Sequence, residues 1–380
     1  MSKTISVGDR VLYNNQRCQV EKVGNAGAYK GRVKLLTADF EELWVDVGQL
    51  EAPNLCQSVA YDPRPTTLTA VSLFSGMGGV DCGFKMAGFT PIASVEFDEE
   101  NQEYSKDCER SHHINFPDAK FYLEPVQGMA GKLPKCDILQ VSPVCRHFSA
   151  AANMVGGLRG EQAEDLEMAR SVVQALNDCS PHYFMLEQVP GYLESSSFEA
   201  IVQALETNGY RYDYKVLDLA DYGVPQNRKR LILLAGKDRV WNFPALQRRV
   251  GWKEAIAGIP LEPCTLTRRQ QLHLIEQVAD YDLSQGVLIQ RIGLNIAVRR
   301  HSEPCFTITR SMFVDEKKAN RSKVATVINS QGVWNLPVRA IARLCGFPDW
   351  FHLGKYTGQG LGYAVPPKFV KLLCSSLILD

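Results

Sequence analysis

One cysteine stands in a loop whose composition is typical of a reactive site. A short apolar run over residues 138–141 leads to Pro143 and then to Cys145, and the basic residues Arg146 and His147 follow directly. Neighbouring cations favour the thiolate form of a cysteine, and the thiolate is the nucleophile. Many cysteines are simply buried as small hydrophobic side chains, but a loop bounded by proline with two basic neighbours favours covalent chemistry at Cys145.

Two further apolar runs end on groups that suit such chemistry. Upstream, the run that ends at Phe74 passes into the glycine-rich turn 75–79, and glycines let the backbone approach a ligand at the start of the following helix. Downstream, the run 183–186 ends on the carboxylate of Glu187, which is costly to bury unless it is used or paired. A thiol, a carboxylate and a glycine loop at successive strand ends predict covalent chemistry beside a bound cofactor.

Two more positions carry charged groups where a ligand is expected. Glu96 ends the next apolar run, and an acid at that place can accept hydrogen bonds from the two hydroxyls of a ribose. The loop 221–230 carries Arg228, Lys229 and Arg230 directly before another run. This loop is either a solvated basic turn or a site where guanidinium groups bind an anion or a base. We favour binding, and we favour the two arginines over Lys229.

These side chains need a scaffold that brings the ends of strands together. From residue 68 onward, apolar runs alternate with helical patterns, and the predicted strands cover residues 70–74, 91–96, 138–141, 183–186, 212–218 and 230–235. The predicted helices cover residues 161–177, 196–208, 338–345 and 367–377. This alternation predicts an α/β domain with a Rossmann-like, mostly parallel sheet and helices on both faces. In such sheets ligands bind at the carboxyl ends of the strands, where the reactive groups fall.

The composition changes along the chain and predicts five parts. Residues 1–60 contain four or five short strands, which predict a small N-terminal SH3-like β-barrel, and the stiff polar stretch 61–67 predicts a linker. Residues 68–250 form the predicted catalytic, cofactor-binding domain. Residues 251–334 break the α/β rhythm with irregular strands, turns and basic residues, and residues 335–380 return to the catalytic domain.

The overall composition excludes several classes of protein. With 380 residues, 45% of them hydrophobic and 22% charged, the chain is typical of a soluble globular protein with more than one domain. The formal net charge is +0, so nucleic acid would have to be bound by local basic clusters. No apolar run is long enough to span a bilayer, and the first residues lack the apolar stretch of a signal peptide. The 11 cysteines are scattered without a Cys-x-x-Cys pair, which predicts no disulfide framework and no metal site and favours the cytoplasm.

The motifs, taken in order, resemble those of the cytosine-5 DNA methyltransferase family over residues 68–380. They are Phe-Ser-Gly-Met-Gly-Gly at 74–79, Pro-Val-Cys at 143–145, Glu-Gln-Val at 187–189, Gln-Asn-Arg-Lys-Arg at 226–230, the segment 339–348, and Gly-Tyr-Ala-Val-Pro-Pro at 362–367. Six motifs in the family's order do not plausibly arise by chance. The resemblance implies the family's Rossmann-like fold, with residues 251–334 as an inserted target-recognition domain.

The resemblance also implies an activity and a cofactor. The chain would transfer a methyl group from S-adenosylmethionine to carbon 5 of cytosine in double-stranded DNA, on a base flipped out of the helix. Cys145 would add to carbon 6 of the ring, and Glu187 would contact ring nitrogen 3. Arg230 would contact the base carbonyl oxygen, and Arg228 would hold the loop or a phosphate.

Further site residues follow from the same resemblance. Those that would line the cofactor pocket are Phe74, Gly76, Met77, Gly78, Gly79, Glu96, Phe97, Glu124, Pro143, Tyr363 and Val365. The residues that would contact DNA are Ser149, Arg299, Arg300, Arg310, Lys317, Lys318 and Arg321. The last six belong to a stretch from residue 291 to 323 with eight lysines and arginines and three acids, although charge runs are usually solvated surface.

The chain departs from the family's motifs at several positions. Val144 stands where a proline precedes the catalytic cysteine, and Arg146 stands where a glutamine follows it. Gln188 replaces the asparagine beside the catalytic acid. Tyr363 replaces the asparagine of the last motif, and Ser72 replaces an acid near the end of the first strand. The thiol, the acid and both arginines are retained, but the residues around them are altered.

These departures leave three interpretations open beside DNA methylation. The same covalent activation could use a modified or different one-carbon donor, because Tyr363 and Ser72 would reshape the cofactor pocket. The family also includes a tRNA cytosine methyltransferase. A catalytically inactive DNA-binding homologue is the third, and the intact pair of Cys145 and Glu187 argues against it. The resemblance further implies a monomer in a restriction-modification or phage-defence context.

Overall fold

The computed structural model describes residues 10–13, 16–24, 30–36, 42–49, 68–148, 160–264, 266–292, 295–310 and 326–378. The chain divides into two structural units. The first comprises Met1–Asp62 and His352–Lys355, and the second comprises Pro63–Phe351 and Tyr356–Asp380. Each unit has a hydrophobic core of its own.

In the first unit, the described strands form one antiparallel sheet. They are β1 (Arg10–Tyr13), β2 (Gln16–Val23), β3 (Arg32–Leu36) and β4 (Glu42–Asp46), in the order β1-β2-β3-β4. Val20, Val33, Leu35 and Val45 are buried together, because apolar residues two apart on a strand point to the same face. The strands lie where the sequence predicts them, and closure into an SH3-like barrel stays a prediction.

The second unit is built around a seven-stranded sheet. Its strands are β5 (Thr69–Leu73), β6 (Thr90–Val95), β7 (Lys120–Tyr122), β8 (Ile138–Val141), β9 (Tyr183–Gln188), β10 (Arg211–Asp218) and β11 (Lys229–Gly236). Their order is β10-β11-β9-β8-β5-β6-β7, and the strands from β9 to β7 are parallel while β11 and β10 pair antiparallel. The mostly parallel sheet is thus confirmed. The sequence missed β7, because a strand of three residues is too short to show a period.

The helices that the structure describes follow the sheet in chain order. They are α1 (Gly79–Ala87), α2 (Gln102–Asn115), α3 (Ala163–Cys179), α4 (Ser196–Thr207), α5 (Trp252–Ala255), α6 (Arg268–Gln277), α7 (Val338–Leu344), α8 (Thr357–Tyr363) and α9 (Pro367–Ile378). None of these helices is long and apolar enough to cross a membrane.

Successive side chains of the central strands enter two different cores. On β9, Phe184 and Leu186 belong to the core that α3 and α4 cover, whereas Met185 belongs to the core that α1 and α9 cover. On β8, Ile138 and Leu139 are divided in the same way. A parallel sheet buried on both faces needs apolar residues at consecutive positions, which is why these strands appear as unbroken apolar runs. The prediction of helices on both faces is confirmed.

The end of the chain packs against α1 through a glycine. A Cβ atom at Gly83 would lie 2.4 Å from the Cβ of Val370 and 2.8 Å from the carbonyl oxygen of Pro367. The helices α1 and α9 can approach this closely only because residue 83 has no side chain. The same contact brings the carbonyl oxygen of Val365 to 2.7 Å from the position of a Cβ on Gly79. The C-terminal segment therefore lies beside the glycine loop.

The segment 251–334 is more regular than the sequence predicts. Its described part contains an antiparallel sheet in the order β12-β16-β15-β13-β14, formed by β12 (Glu262–Pro263), β13 (Val287–Ile292), β14 (Asn295–Arg300), β15 (Thr326–Asn329) and β16 (Gly332–Asn335). Helix α6 packs on this sheet, and Leu274, Val287, Ile289, Ile328 and Val333 form a small core. The expectation of irregular strands was wrong: β13 and β14 form one hairpin and β15 and β16 another, and pairings between distant strands join them into one sheet.

Candidate active site

The reactive groups lie at the carboxyl ends of neighbouring strands in the middle of the central sheet. Strands β5, β8 and β9 are neighbours and run parallel, so the loops that follow them emerge side by side. The glycine loop follows β5, the loop with Cys145 follows β8, and Glu187 is the penultimate residue of β9. The sheet order thus brings together segments that are far apart in the sequence.

Cys145 shares its surroundings with one acid and two arginines. Burial raises the pKa of the Cys145 thiol above its ordinary value, and the charge of Glu187 raises that pKa further. Arg230 and Arg228 act in the opposite direction and favour the thiolate. The structure therefore brings all four predicted catalytic residues into one electrostatic group, in which the resting sulfur is a thiol.

The expectation that Arg146 and His147 favour the thiolate needs correction. The guanidinium of Arg146 hydrogen-bonds to the carboxylate of Glu100, and His147 Nδ1 lies 2.8 Å from Asp165 Oδ2. Both side chains are turned to acids on flanking elements, because the residues at the centre of a turn point outward. The cations that lower the pKa of Cys145 are the arginines of β11 and of the loop before it.

Glu187 and Arg230 form an ion pair between neighbouring strands. Arg230 Nε donates to Glu187 Oε1 at 2.8 Å, and both side chains are largely buried. Strands β9 and β11 are antiparallel, so the end of β9 lies against the start of β11 and the two residues meet. This pairing satisfies the carboxylate that the sequence leaves at the end of an apolar run.

Arg228 is buried and connects the loop before β11 to two other segments of the chain. Its side chain is buried, and its Nη atoms donate to the carbonyl oxygens of Ile308, Gly362 and Tyr363 at 3.2–3.5 Å. Burial lowers the pKa of Arg228 to about 10. Of the two roles expected for this residue, holding the loop fits the structure, whereas contact with a phosphate does not because these donors are engaged inside the protein.

Gln188 ties the acid strand to the cysteine loop. Its Nε2 donates to the carbonyl oxygen of Pro143 at 2.7 Å, and its Oε1 accepts from the backbone N–H of Val189 at 2.7 Å. Pro143, expected in the cofactor pocket, is buried under this bond. Gln188 was identified from the sequence as a departure from the family, but its bond to Pro143 was not predicted because the two residues meet only in the folded chain.

The glycine loop and Glu96 lie against each other where a cofactor pocket is expected. Phe74 has φ +59°, which turns the chain sharply out of β5, and Gly76 and Gly78 have φ +54° and +91°. The backbone N–H of Gly76 donates to Glu96 Oε2 at 2.8 Å. Burial raises the pKa of Glu96 to about 7, although the bond from Gly76 lowers it. The loop and the acid predicted for cofactor binding are therefore in direct contact.

Two tyrosines complete this pocket, and the sequence indicated only one of them. The ring of Tyr104, on α2, packs edge-on against that of Tyr363 with centroids 6.3 Å apart. The Tyr104 hydroxyl is buried, interacts with the Cys108 thiol, and lies 3.3 Å from the position of a Cβ on Gly76. A thiol is a weak hydrogen-bonding group, so a buried hydroxyl in this position beside a carboxylate suits a polar ligand such as a nucleoside. The residues present therefore fit the nucleoside part of S-adenosylmethionine.

The other predicted cofactor residues lie around this pocket in different roles. Met77 is buried against Gly360 of α8, and Gly79 and Val365 form the contact between the loop and the C-terminal segment. Phe97 follows Glu96 and is partly exposed. Glu124 lies two residues beyond β7 and pairs with Lys132 at 2.5 Å. Direct contact of each with the cofactor stays a prediction.

Ser72 on β5, which stands where the family has an acid, is bonded to an acid of α1, Asp81. The Ser72 hydroxyl donates to Asp81 Oδ1 at 2.8 Å and lies 3.1 Å from Ser94 Oγ. His112 Nε2 contacts Ser94 Oγ at 2.8 Å and lies 3.7 Å from Asp81 Oδ2. All four side chains are fully buried under the glycine loop. His112 is thus part of a buried polar cluster.

The predicted DNA-binding residues are only partly within the described chain. Arg299 stacks on Phe306 and Arg300 lies over Tyr281, so neighbouring residues of β14 point to opposite faces. Arg310 Nη1 lies 3.4 Å from Tyr363 Oη. Ser149, Lys317, Lys318 and Arg321 lie outside the described residues. Within the described ranges, no group of three or more His, Cys, Asp or Glu side chains could hold a metal ion.

Comparisons with known proteins agree with this geometry. The model of the C-5 cytosine-specific DNA methylase family matches residues 68–378. The chain is 27% identical over 333 residues to the Type II methyltransferase M.MthTI of Methanothermobacter thermautotrophicus, covering 81% of this chain and 96% of the relative. It is 29% identical over 324 residues to the Type II methyltransferase M.AplI of Arthrospira platensis, covering 82% of this chain and 85% of the relative.

Solved structures share the same fold. The Dnmt2 methyltransferase of S. pombe matches with a TM-score of 0.55 and 16% identity, over 82% of this chain and 98% of that one. The methyltransferase EhMeth of Entamoeba histolytica matches with a TM-score of 0.56 and 15% identity, over 83% of this chain and 99% of that one. Because the family model covers most of the sequence and the site groups meet at the expected strand ends, the chain belongs to the C-5 cytosine-specific DNA methylase family.

Proposed function

We propose that this chain methylates carbon 5 of cytosine in double-stranded DNA through a covalent adduct at Cys145. The observation that carries the proposal is the group formed by Cys145, Glu187 and Arg230 at the carboxyl edge of the sheet. A nucleophile, an acid and a cation that orients the acid are what addition to a pyrimidine ring requires.

The chain's own residues have distinct parts in this reaction. The Cys145 thiol gives its proton to water, and a bond forms between Sγ and carbon 6. The electrons of the 5,6 double bond then form a 4,5 double bond, and the electrons of the 3,4 double bond move to ring nitrogen 3. Glu187 hydrogen-bonds to or protonates ring nitrogen 3, and Arg230 keeps the Glu187 carboxylate in place and contacts the base carbonyl oxygen. Carbon 5 would then take the methyl group that bound S-adenosylmethionine would supply. Loss of the carbon 5 proton to water, return of the ring nitrogen 3 proton to Glu187 and departure of Cys145 as a thiolate re-form the 5,6 double bond and restore the aromatic ring.

The family depends on S-adenosylmethionine, which supplies an electrophilic methyl carbon when it is bound. We propose that Glu96 accepts the ribose hydroxyls and that the Tyr104 hydroxyl provides a further polar contact. Support comes from the contact of Glu96 with Gly76 and from the buried Tyr104 hydroxyl, whose interaction partner is the weakly hydrogen-bonding Cys108 thiol. Phe97 and Tyr363 would border the pocket, and the glycine loop would hold the remainder of the cofactor.

DNA is proposed to bind with the target base flipped toward Cys145, because a base inside the duplex is out of reach of the thiol. Residues 251–334 are proposed as the target-recognition domain, with Arg299, Arg300 and Arg310 among the contacts. The exposed Arg300 and Arg310 support this assignment. Contacts from Ser149, Lys317, Lys318 and Arg321 remain part of the proposal.

The biological setting is proposed from the relatives. Proteins named Type II methyltransferases are similar over most of this chain, which supports a restriction-modification setting, with phage defence as its purpose. A cytoplasmic monomer is proposed, with residues 1–60 as an SH3-like barrel, 61–67 as a linker, 68–250 and 335–380 as the catalytic domain, and 251–334 inserted between them.

Nucleoside mass spectrometry is the most direct test. DNA from a bacterial host without cytosine methylation, expressing this chain, should contain 5-methylcytosine, and bisulfite sequencing should give the recognised site. A different mass increment on cytosine would contradict the methyl donor and favour a modified one-carbon donor, which the substitution to Tyr363 allows. Modified tRNA with unmodified DNA would contradict the DNA substrate.

A second test concerns the nucleophile. Duplex DNA with 5-fluorocytosine at the recognised site should form a stable adduct with the protein, because fluorine cannot leave as a proton does. Cys145→Ala should form no adduct and no product while DNA binding is kept. Cys264→Ala is the matched control, since Cys264 is also a partly exposed free cysteine but belongs to the segment 251–334. Activity in Cys145→Ala would refute the mechanism.

A further inference from the structure

The cysteine loop contains a turn whose two central side chains are anchored to acids. The backbone N–H of Phe148 donates to the carbonyl oxygen of Cys145 at 3.2 Å, which places Arg146 and His147 at the centre of the turn. His147 contacts Asp165 in the first turn of α3, and that bond fixes one side of the turn to the scaffold. We call residues 145–148 the catalytic turn.

Arg146 connects the catalytic turn to a different element. Its guanidinium hydrogen-bonds to Glu100 and lies 3.9 Å from Asp98 Oδ1. Both acids belong to the loop that follows Glu96, the residue proposed to bind the cofactor ribose. Asp98 is largely buried, whereas Glu100 is exposed. The Arg146 contact therefore joins the turn of the nucleophile to a wall of the cofactor pocket.

The same loop is bonded to the helix that carries Tyr363. Gln359, on α8, donates through Nε2 to Asp98 Oδ2 at 3.1 Å, and its Oε1 accepts from Asn101 Nδ2 at 2.9 Å. Asp98 Oδ1 also accepts the backbone N–H groups of Glu100 and Asn101 at 3.1 and 3.2 Å. The loop is thus preorganised by its own hydrogen bonds. Arg146 adds the catalytic turn to a network that already spans two sides of the pocket.

We propose that Arg146 is a positioning residue that couples DNA binding at the catalytic turn to binding of the cofactor. The proposal rests on the proposed function. When DNA binds the catalytic turn, the contacts of Arg146 with Asp98 and Glu100 would also stabilise the loop that follows Glu96. Bound cofactor would stabilise that loop and, through the same contacts, the catalytic turn. Such coupling is reciprocal, because each ligand changes the affinity for the other by the same factor. The glutamine usual in the family at this position carries no charge and would form a weaker bond to these acids.

The experiment measures this coupling directly. The dissociation constant of S-adenosylhomocysteine, used as a non-reactive probe, is determined by calorimetry with and without saturating duplex that contains the recognised site. In the natural protein DNA should tighten binding about fivefold, at the lower end of typical coupling. The ratio of the dissociation constant without DNA to that with DNA should fall close to one in Arg146→Gln and should be partly restored in Arg146→Lys. Glu100→Gln should lower this ratio as much as Arg146→Gln does. The double variant Arg146→Gln/Glu100→Gln should lose no more than either single variant, because both remove the same interaction.

A matched control separates coupling from a change of net charge. Arg248 is an exposed arginine bonded to Glu254 through both Nη atoms, so Arg248→Gln removes an equivalent pair outside the site and should keep the natural ratio. Steady-state kinetics should show a KM for S-adenosylmethionine raised severalfold in Arg146→Gln and kcat changed less.

The outcomes are distinct. An unchanged ratio in both Arg146→Gln and Glu100→Gln would overturn the coupling. So would a natural protein that forms the 5-fluorocytosine adduct yet shows no effect of DNA on the probe. A natural protein that neither forms the adduct nor binds the probe would refute the proposed function itself, and the coupling with it.

Discussion

Arg230 Nε donates to Glu187 Oε1 at 2.8 Å, and this ion pair joins two antiparallel strands beside Cys145, a partly exposed thiol. The pair holds a carboxylate and a guanidinium together at the end of a buried strand, and the two groups change the pKa of the Cys145 thiol in opposite directions. Several consequences of this arrangement can be measured.

Removal of Arg230 should destabilise the protein as well as inactivate it. Arg230→Gln leaves the largely buried Glu187 without its cation, which costs about 3 kcal/mol in the free energy of unfolding. Glu187→Gln should cost less, because the neutral amide keeps an oxygen for Arg230, although it should abolish methylation. Urea denaturation of both variants checks this order, and an equal loss in the two would contradict it.

The reactivity of Cys145 should respond to the same two charges. Because burial and Glu187 raise the pKa of the thiol, alkylation by iodoacetamide should be slow at neutral pH and should accelerate as the pH rises. Glu187→Gln should shift this profile to lower pH, and Arg230→Gln should shift it to higher pH. Peptide mass spectrometry of Cys145 measures the rates, with Cys264 as the internal comparison. Shifts in the same direction would rule out the proposed electrostatics.

Cofactor binding should depend on pH through Glu96. Burial raises its pKa to about 7, and an ionised carboxylate is the better acceptor for two ribose hydroxyls. Below that pH a proton must be released before binding, so the dissociation constant of S-adenosylmethionine should rise about tenfold per pH unit. Calorimetry between pH 5 and 8, at roughly one-unit steps, tests the slope. Glu96→Gln should bind more weakly at neutral pH and without this dependence; a parallel pH dependence in the variant would assign the effect to another group.

Gln188 should be required for the position of the cysteine loop. Gln188→Ala removes the buried bond to the Pro143 carbonyl, which should cost about 1–3 kcal/mol in stability and lower the single-turnover rate. Gln188→Asn has the same amide on a shorter side chain and should recover only part of the rate. Gln174→Ala, which removes an exposed bond to Asp178 on α3, should leave both quantities unchanged. A normal rate in Gln188→Ala would mean that Pro143 is held by other contacts.

The family's acid near the end of the first strand should not be tolerated by this chain. Ser72→Asp would place a second carboxylate within hydrogen-bond distance of the fully buried Asp81, and two buried like charges should lower stability by roughly 3 kcal/mol or more. The double variant Ser72→Asp/Asp81→Asn should recover most of that loss. Thermal denaturation of the three variants tests this, and no recovery in the double variant would show that size, not charge, limits the site.

The elements of the catalytic domain were predictable because their signals are local. The run 138–141 and the pattern 196–208 correspond to β8 and α4 within one residue, since strand and helix periods are read from adjacent residues. Strand β7 was not evident because it has only three residues. The sheet of residues 251–334 was not evident because its two hairpins are joined by pairings between strands far apart in the sequence. The reactive residues could be named for a similar reason, as each lies at the end of an apolar run.

The side chains that contact the reactive residues could not be predicted from the sequence. Arg146 and His147 appeared to be the cations of Cys145, yet the fold directs them to Glu100 and Asp165 and assigns that role to Arg230 and Arg228. Tyr104 carried no motif, and its meeting with Tyr363 depends on how α2 and α8 pack.

By itself the sequence determined which segments are strands and helices, which residues are chemically able to react, and which family the motifs resemble. Tertiary structure alone decided which charges act on Cys145, that Ser72 is bonded to Asp81, and that Arg146 reaches the loop that follows Glu96. The physical reason is distance along the chain: backbone periods and loop composition are encoded within a few residues, whereas hydrogen bonds, burial and electrostatic coupling depend on side chains that only folding brings together.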